Sequence, residues 1–407
     1  MKIQIQSTPV PTGHPCQRGI WHGRDVRASG AKIGLLLTAI LCLFLMSCRD
    51  EREIFDPELE GVTYPVFNAI RGFYLLNEGN MGSNKATLDF FCYETGVFHR
   101  NIFATANPHV PMELGDVGND LQIYGNKLFA VINVSNKIEV MEAQTARRIG
   151  QINIPNVRYI RFHNGYAFAT SYAGPVSIDP TFAQIGFVAK IDTATLEVIA
   201  RAYVGFQPDE LYILNDKIYV ANSGGYMFPN YENTLSVICL ERFEEIERIE
   251  VAVNLHRVRA DRHGNLWVTS RGDYFDVPSR LFWVCSQTHD VGGELDIAVS
   301  NFTLVGDSLF IIGTEFNRLT MQTEVSFGIV DVNTKQIVSR NFITDGTHTQ
   351  IQMPRGIAVN PITRNIYITD ARNHVTPGTL FSFDRYGRLR WQVRTGDIPA
   401  HFVFLER

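Results

Sequence analysis

The chain has 407 residues, with 37 Lys or Arg, 42 Asp or Glu, and a formal net charge of −5. An acidic chain with no basic run lacks the electrostatic footprint of a nucleic-acid binder. Its 45% hydrophobic content is ordinary for a globular protein with a large core, and a closed all-β architecture of this length fits in one domain.

The first predicted element is an apolar run over residues 33–46, preceded by Arg24, Arg27 and Lys32 and closed by Ser47 and Cys48. A basic segment, a short apolar core and a small residue before a cut predict a secretory signal. The run is too short to span a bilayer, which takes ~20 apolar residues. Leu45-Met46-Ser47-Cys48 resembles the lipobox of bacterial lipoproteins. That resemblance implies a signal peptide over residues 1–47, lipidation of Cys48, and membrane lipid as a partner. An ordinary signal with a chance cysteine is the alternative. Arg49-Asp50-Glu51-Arg52-Glu53 resembles the export tag of Bacteroidetes-type lipoproteins, which implies an outer-membrane, lipid-anchored protein facing the cell exterior. Residues 48–66 read as the lipidated cysteine and a flexible tether. The residues ahead of Arg24 make an unusually long leader, as a start codon set too early would.

From residue 67 to 407 one unit recurs. Its clearest copy runs Gln207-Pro208-Asp209-Glu210-Leu211-Tyr212-Ile213-Leu214, then Asn215-Asp216, then Lys217-Ile218-Tyr219-Val220-Ala221-Asn222. Short β-branched or aromatic runs bounded by Gly, Asn or Asp predict strands joined by tight turns. The second strand returns around Tyr74, Phe129, Phe168, Trp267, Phe310 and Tyr367. Four strands per unit, in about seven units spaced by roughly 40–55 residues, predict an all-β, seven-bladed β-propeller with four-stranded antiparallel blades.

Nothing before Gly72 matches the innermost strand of the unit, whereas Gly396-Asp397-Ile398-Pro399-Ala400-His401 matches Gly205-Phe206-Gln207-Pro208-Asp209-Glu210. The C-terminal strand is therefore expected to complete the first blade and close the ring. Third strands end in Asp192-x-x-Thr195 and Asp331-x-x-Thr334, with Glu142-x-x-Thr145 as a variant, where a short polar side chain can hold the turn. Cys92, Cys239 and Cys285 occupy the same place. An odd count after the signal argues against a disulfide framework, so these read as free structural thiols.

Loops between second and third strands share a face with the starts of the innermost strands. Here they are long, over residues 78–82, 172–186, 223–233, 271–280, 315–324 and 371–378, while the opposite turns are short. Insertions gathered on one face of a repeat protein mark a binding face. The loop candidates for ligand contact are Glu78, Asn80, Tyr172, Tyr226, Phe228, Tyr231, Arg271, Tyr274, Phe275 and Phe316. Such aromatics offer stacking area, or fold down and staple their own loops. The candidates at the channel mouth are Asp120, Arg158, Tyr159, Asp209, Glu210, His256, Arg257, Asn301, Arg355 and His401. They read as a polar well for a ligand's hydrogen-bonding groups, or as charges that satisfy one another. Glu78, Asn222, Asp273 and Asp370 could supply oxygen ligands for a metal-dependent lactonase or lyase. Yet no catalytic set assembles from the spacing, so the expected protein is not an enzyme and has no resident metal or cofactor.

Gly205-Phe206-Gln207-Pro208-Asp209-Glu210, Tyr219-Val220-Ala221-Asn222 and Lys190-Ile191-Asp192-Thr193-Ala194-Thr195 resemble the YncE-like seven-bladed propellers. Leu76-Asn77-Glu78-Gly79-Asn80-Met81-Gly82-Ser83-Asn84-Lys85 resembles the lipid-anchored surface propellers of Bacteroidetes, the surface layer or DUF5074 type. Best understood among these are the BtuG-type cobalamin-capture lipoproteins. The resemblance implies capture of a small-molecule ligand, a corrinoid first, for a TonB-dependent outer-membrane transporter as partner. A protein- or glycan-binding surface platform is the alternative.

Overall fold

A computed structural model of the chain describes residues 59–407, apart from 111–113, 177–178 and 180. The expected signal peptide, Cys48 and the first part of the tether lie outside the described residues. Among the described residues no helix is long and apolar enough to cross a membrane.

Two-sided apolar strands decide the architecture. In Lys127–Ile132, Phe129 and Val131 pack to one side while Leu128, Ala130 and Ile132 pack to the other. A strand that is apolar on both faces needs a cover on both. Seven antiparallel sheets provide it by standing face to face in a ring. Blade 2 sets the pattern, from innermost Gly118–Tyr124 through Lys127–Ile132 and Lys137–Glu142 to outermost Arg148–Asn153. Blades 3 to 7 repeat it from innermost strands Val157–His163, Pro208–Leu214, Leu255–Ala260, Asn301–Val305 and Pro354–Val359. The core is accordingly divided into seven apolar clusters, one between each pair of neighbouring blades.

Closure follows the expected route. Blade 1 starts at its second strand, Ile70–Asn77, and takes its innermost strand from the far end of the chain. Pro399–Glu406 pairs with it from Ile70 opposite Glu406 to Asn77 opposite Pro399. The junctions leading into blades 1 and 4 are structural copies. Ile398 and Gln207 each sit at positive φ, 55° and 49°. A Cβ on Gly378 would stand 2.3 Å from Pro399 Cδ, as one on Gly186 would from Pro208 Cδ. Both positions need glycine because the next strand passes so close.

Blade 1 departs from expectation at its outer edge. Leu59–Gly61, read as part of the tether, pairs with Val97–His99 as a fifth strand. Its residues are exposed, so backbone pairing to an open sheet edge holds it rather than burial. The expected loop over residues 315–324 is also mostly strand. Ser308–Asn317 and Gln322–Asp331 stay paired out to Asn317 opposite Gln322, because Phe316, Thr323 and Val325 suit a pleated ladder. A short helix, Ile102–Ala106, lies in the connection from blade 1 to blade 2.

The turns behave as read. Asp192 Oδ1 accepts the backbone N–H of Ala194 and Thr195 at 2.8 and 3.0 Å, and Asp331 Oδ1 accepts those of Asn333 and Thr334 at 2.8 and 3.2 Å. Cys92, Cys239 and Cys285 are free thiols. The N–H of Thr288 points at the Cys285 sulfur and, with the Thr288 hydroxyl, draws that thiol below its usual value. There the sulfur stands in for the carboxylate.

The closing interface turns on Phe73, fully buried and in ring contact with Phe91, Tyr93, Tyr367, Phe402 and Phe404. We predict that Phe73→Ala lowers unfolding stability by about 3–5 kcal/mol. Urea unfolding followed by tryptophan fluorescence reads it. A loss under ~1 kcal/mol would be a surface-like response and would place the closing contacts elsewhere.

Candidate functional site

The innermost strands all begin on the long-loop face, and in six blades the register with the second strand breaks at that point. Such irregularities re-aim side chains. Here they let successive pairs, Arg158-Tyr159, Asp209-Glu210 and His256-Arg257, all serve the channel mouth. Threonines on the second strands hold the break. Thr170, Thr269 and Thr369 Oγ1 accept the N–H of Tyr159, Arg257 and Gly356 at 3.1, 2.9 and 2.8 Å. The hydroxyls of Thr170 and Thr369 then donate to the carbonyls of Asp209 and Pro399 in the next blade, at 2.8 and 2.6 Å.

The channel-mouth residues form three linked groups. In the first, buried Asp209 accepts from Arg158 Nε at 3.1 Å, Arg271 Nη1 at 2.8 Å and the Tyr172 hydroxyl at 2.9 Å. Burial works to raise its pKa, but Arg271, Arg158 and that hydroxyl hold it below the carboxylate range. In the second, Glu78 takes a two-point contact from Arg355, at 3.0 and 2.8 Å, and faces His401 Nε2 at 3.2 Å. Burial again pushes upward, and Arg355 with His401 outweighs it, so the carboxyl stays well below its ordinary value. His401 is kept neutral by burial despite Glu78.

The third group is a belt around the axis. Arg161 Nη1 donates to Asp120 at 2.7 Å, and its Nη2 to Glu210. Arg259 Nε donates to Glu210 at 3.1 Å and Nη2 to Asn301 at 3.4 Å, and Asn301 Nδ2 reaches the Arg355 carbonyl at 3.2 Å. One chain of polar contacts thus crosses blades 2 to 7. Asp120, pushed up by burial, is held low by Arg161. Arg161 and Arg259 were absent from the sequence candidates. Their signal is positional, since each lies on an innermost strand two residues beyond a channel residue already chosen, Tyr159 and Arg257.

The loop candidates divide. Tyr172 folds down onto Asp209, with Arg158 over its ring at 4.8 Å. Tyr231, Tyr274 and Phe275 staple loops of neighbouring blades. The Tyr231 hydroxyl donates to the Asp273 carbonyl at 3.3 Å, and Arg318 lies 5.6 Å from both the Tyr274 and Phe275 rings. Asn80 serves its own loop, where its carbonyl accepts the Ser83 N–H at 2.9 Å. Phe228 packs its ring centroid 5.1 Å from that of Phe275 and 6.1 Å from that of Tyr231 yet stays exposed, and Tyr226 and Phe316 are exposed too.

The four oxygen-ligand candidates are not brought together. Glu78 is engaged as above. Asn222 bonds Thr234 and Ser236, Asp273 caps Phe275 and Val277, and Asp370 accepts the N–H of Gln352, Met353 and Arg372. Among the described residues no group of three His, Cys, Asp or Glu is placed to hold a metal ion.

Because Glu78, Asp120 and Asp209 have folded pKa values below their unfolded ones, their contribution is present above about pH 4 and lost as pH falls further. We predict a steep loss of stability below pH 4. Asp209→Asn, which leaves the half-buried Arg158 and Arg271 without their fully buried carboxylate, costs about 3 kcal/mol at pH 7 and shallows that acid limb. Urea midpoints across pH 2.5–7 measure both, and an unchanged acid limb would assign the loss to other groups.

No curated protein sequence matches the chain. Solved structures match its fold at low identity. A hypothetical selenium-binding protein from Sulfolobus tokodaii is 9% identical with a TM-score of 0.60, over 84% of this chain and 96% of that one. A candidate 6-phosphogluconolactonase from Bacteroides fragilis is 11% identical with a TM-score of 0.57, over 84% and 100%. A quinoprotein alcohol dehydrogenase-like protein from Bacteroides thetaiotaomicron is 10% identical with a TM-score of 0.53, over 83% and 79%. At such identity the likeness is one of fold and carries no activity across. The family is set by residues 71–386, which match the model described as a domain of unknown function, DUF5074; the chain, a seven-bladed propeller, belongs to that family.

Proposed function

We propose that this protein is a lipid-anchored surface protein that captures a ligand on its long-loop face, with a corrinoid as first candidate, and passes it to a TonB-dependent outer-membrane transporter. The observation that carries this reading is the contrast between rim and well. On every blade the loop between second and third strands exposes an apolar side chain: Met81, Val134, Val176, Phe228, Val277, Met321 and Val375. They encircle a mouth lined by guanidinium groups. Exposed apolar groups favour docking where they adjoin one another, as Phe228 does Phe275, ring centroids 5.1 Å apart. A corrinoid suits such a face, because it joins a broad apolar macrocycle to amide arms and a phosphodiester. The same rim offers a transporter or other partner protein a surface to rest on. Surface placement draws on the lipobox resemblance at Cys48 and the acidic string behind it.

Isothermal titration of the purified protein with cyanocobalamin tests the ligand. The expected result is saturable heat, with affinity reduced at least tenfold in Phe228→Ala. No heat and no change in melting temperature would remove the corrinoid, and co-purification with an outer-membrane barrel would then favour the platform reading. For the anchor, Cys48→Ala is expected to abolish incorporation of labelled palmitate and to move the protein from the membrane fraction to the soluble one. Unchanged labelling would point to an ordinary cleaved signal.

A further inference from the structure

Charges at the channel mouth do not balance, and the imbalance has an address. Six guanidinium groups, of Arg158, Arg161, Arg257, Arg259, Arg271 and Arg355, stand with four carboxylates, of Glu78, Asp120, Asp209 and Glu210. Five of the six are bridged to a carboxylate. Arg257 is not. It is 6% exposed, its Nε is buried without a partner, and among the described residues its guanidinium makes neither hydrogen bond nor ion pair. Its guanidinium carbon lies over the Tyr159 ring, 5.0 Å from the centroid. Beside it His256, 7% exposed, meets the Tyr159 hydroxyl through Nε2 at 3.0 Å and leaves Nδ1 buried and unpartnered.

Buried polar groups in folded proteins have partners, and a lone buried cation is strongly disfavoured. Two such groups side by side at the start of an innermost strand mark a place where a partner from outside belongs. Arg257 lies on the innermost strand Leu255–Ala260, within the register break between Leu255 and Val258, which places it at the channel mouth. His256 is kept neutral by burial and by Arg271, Arg257, Arg355 and Arg158 around it. When the Tyr159 hydroxyl donates to Nε2, the ring proton of His256 sits on Nδ1 and can be donated.

We propose that Arg257 and His256 form the floor of an oxyanion site at the channel mouth, which takes a phosphate or carboxylate group of a ligand arriving from the long-loop face. The guanidinium offers a planar fork of N–H donors matched to two oxygens of such a group. Arg158, Arg271 and Arg355 supply the surrounding positive field. The inference rests on the capture reading for the direction of approach, and it adds the end of the ligand that goes in first.

Thermal melting of the purified protein in inorganic phosphate against chloride, at equal ionic strength, tests it, with acetate as the carboxylate arm. The expected result is a saturable rise in melting temperature with phosphate. Arg257→Met should weaken that response at least tenfold while melting at the same or higher temperature in chloride, because an unpaired buried cation is gone. Should that variant not fold, Arg257→Lys keeps the charge, loses the fork, and should bind phosphate several-fold more weakly. A response to acetate alone would assign the site to carboxylates. No response to either anion, or the same response in the variant, overturns the site. Cyanocobalamin binding without an anion effect would likewise overturn it and leave capture standing. An anion effect without cyanocobalamin binding would do the reverse.

Discussion

Each blade of this protein is apolar on both faces, and that one constraint orders everything else. A sheet of this kind gains stability only when a second sheet covers each face, so a row of blades always ends in two uncovered ones. The ring removes both ends at once. Closure is made by backbone pairing of Pro399–Glu406 with Ile70–Asn77 and by the cluster around Phe73, Phe91 and Tyr367. Because the two partners lie at opposite ends of the domain's sequence, this contact carries the largest loop-closure entropy in the molecule. It is the contact most easily lost on truncation.

The apolar clusters sit between blades, so the axis is left to other chemistry. Seven innermost strands converge there without room for a further apolar layer. The carboxylates at the mouth are buried, and most of the charged side chains are bound to one another across blade boundaries. The belt from Asp120 through Arg161, Glu210 and Arg259 to Asn301 joins strands that share no backbone hydrogen bonds. Replacing such a network by apolar residues often leaves stability unharmed. Its presence therefore fits a role in fixing the relative positions of the blades and of the groups at the mouth.

Much of this was legible in the sequence because it is periodic. The recurring second strand, the Asp-x-x-Thr turns and the match of residues 396–401 to residues 205–210 each repeat, and repetition separates signal from chance. The starts of the innermost strands could be placed for the same reason. What stayed hidden is local or depends on partners. Leu59–Gly61 has no apolar alternation and joins the sheet through its backbone alone. The pairing of Ser308–Asn317 and Gln322–Asp331 past residue 315 looked like a loop because its polar residues are solvated strand rather than turn. Among the aromatics, composition could not separate Tyr172, drawn inward by Asp209, from Tyr226, left exposed. That choice is made by a carboxylate on a neighbouring blade.

The seam and the mouth are the same place. His401 lies on the closing strand, and Glu78 follows directly on the strand it pairs with. Arg355 comes from the last blade and crosses the seam to Glu78. The group formed by these three exists only when the ring is shut, and it borders the unpaired Arg257 and His256. A ligand held at the mouth would thus bind the closed ring and not the open chain, and by linkage it would stabilise closure by as much as closure favours its binding. The constraint that makes the fold possible also completes the region in which Arg257, among the described residues, is buried without a charge partner.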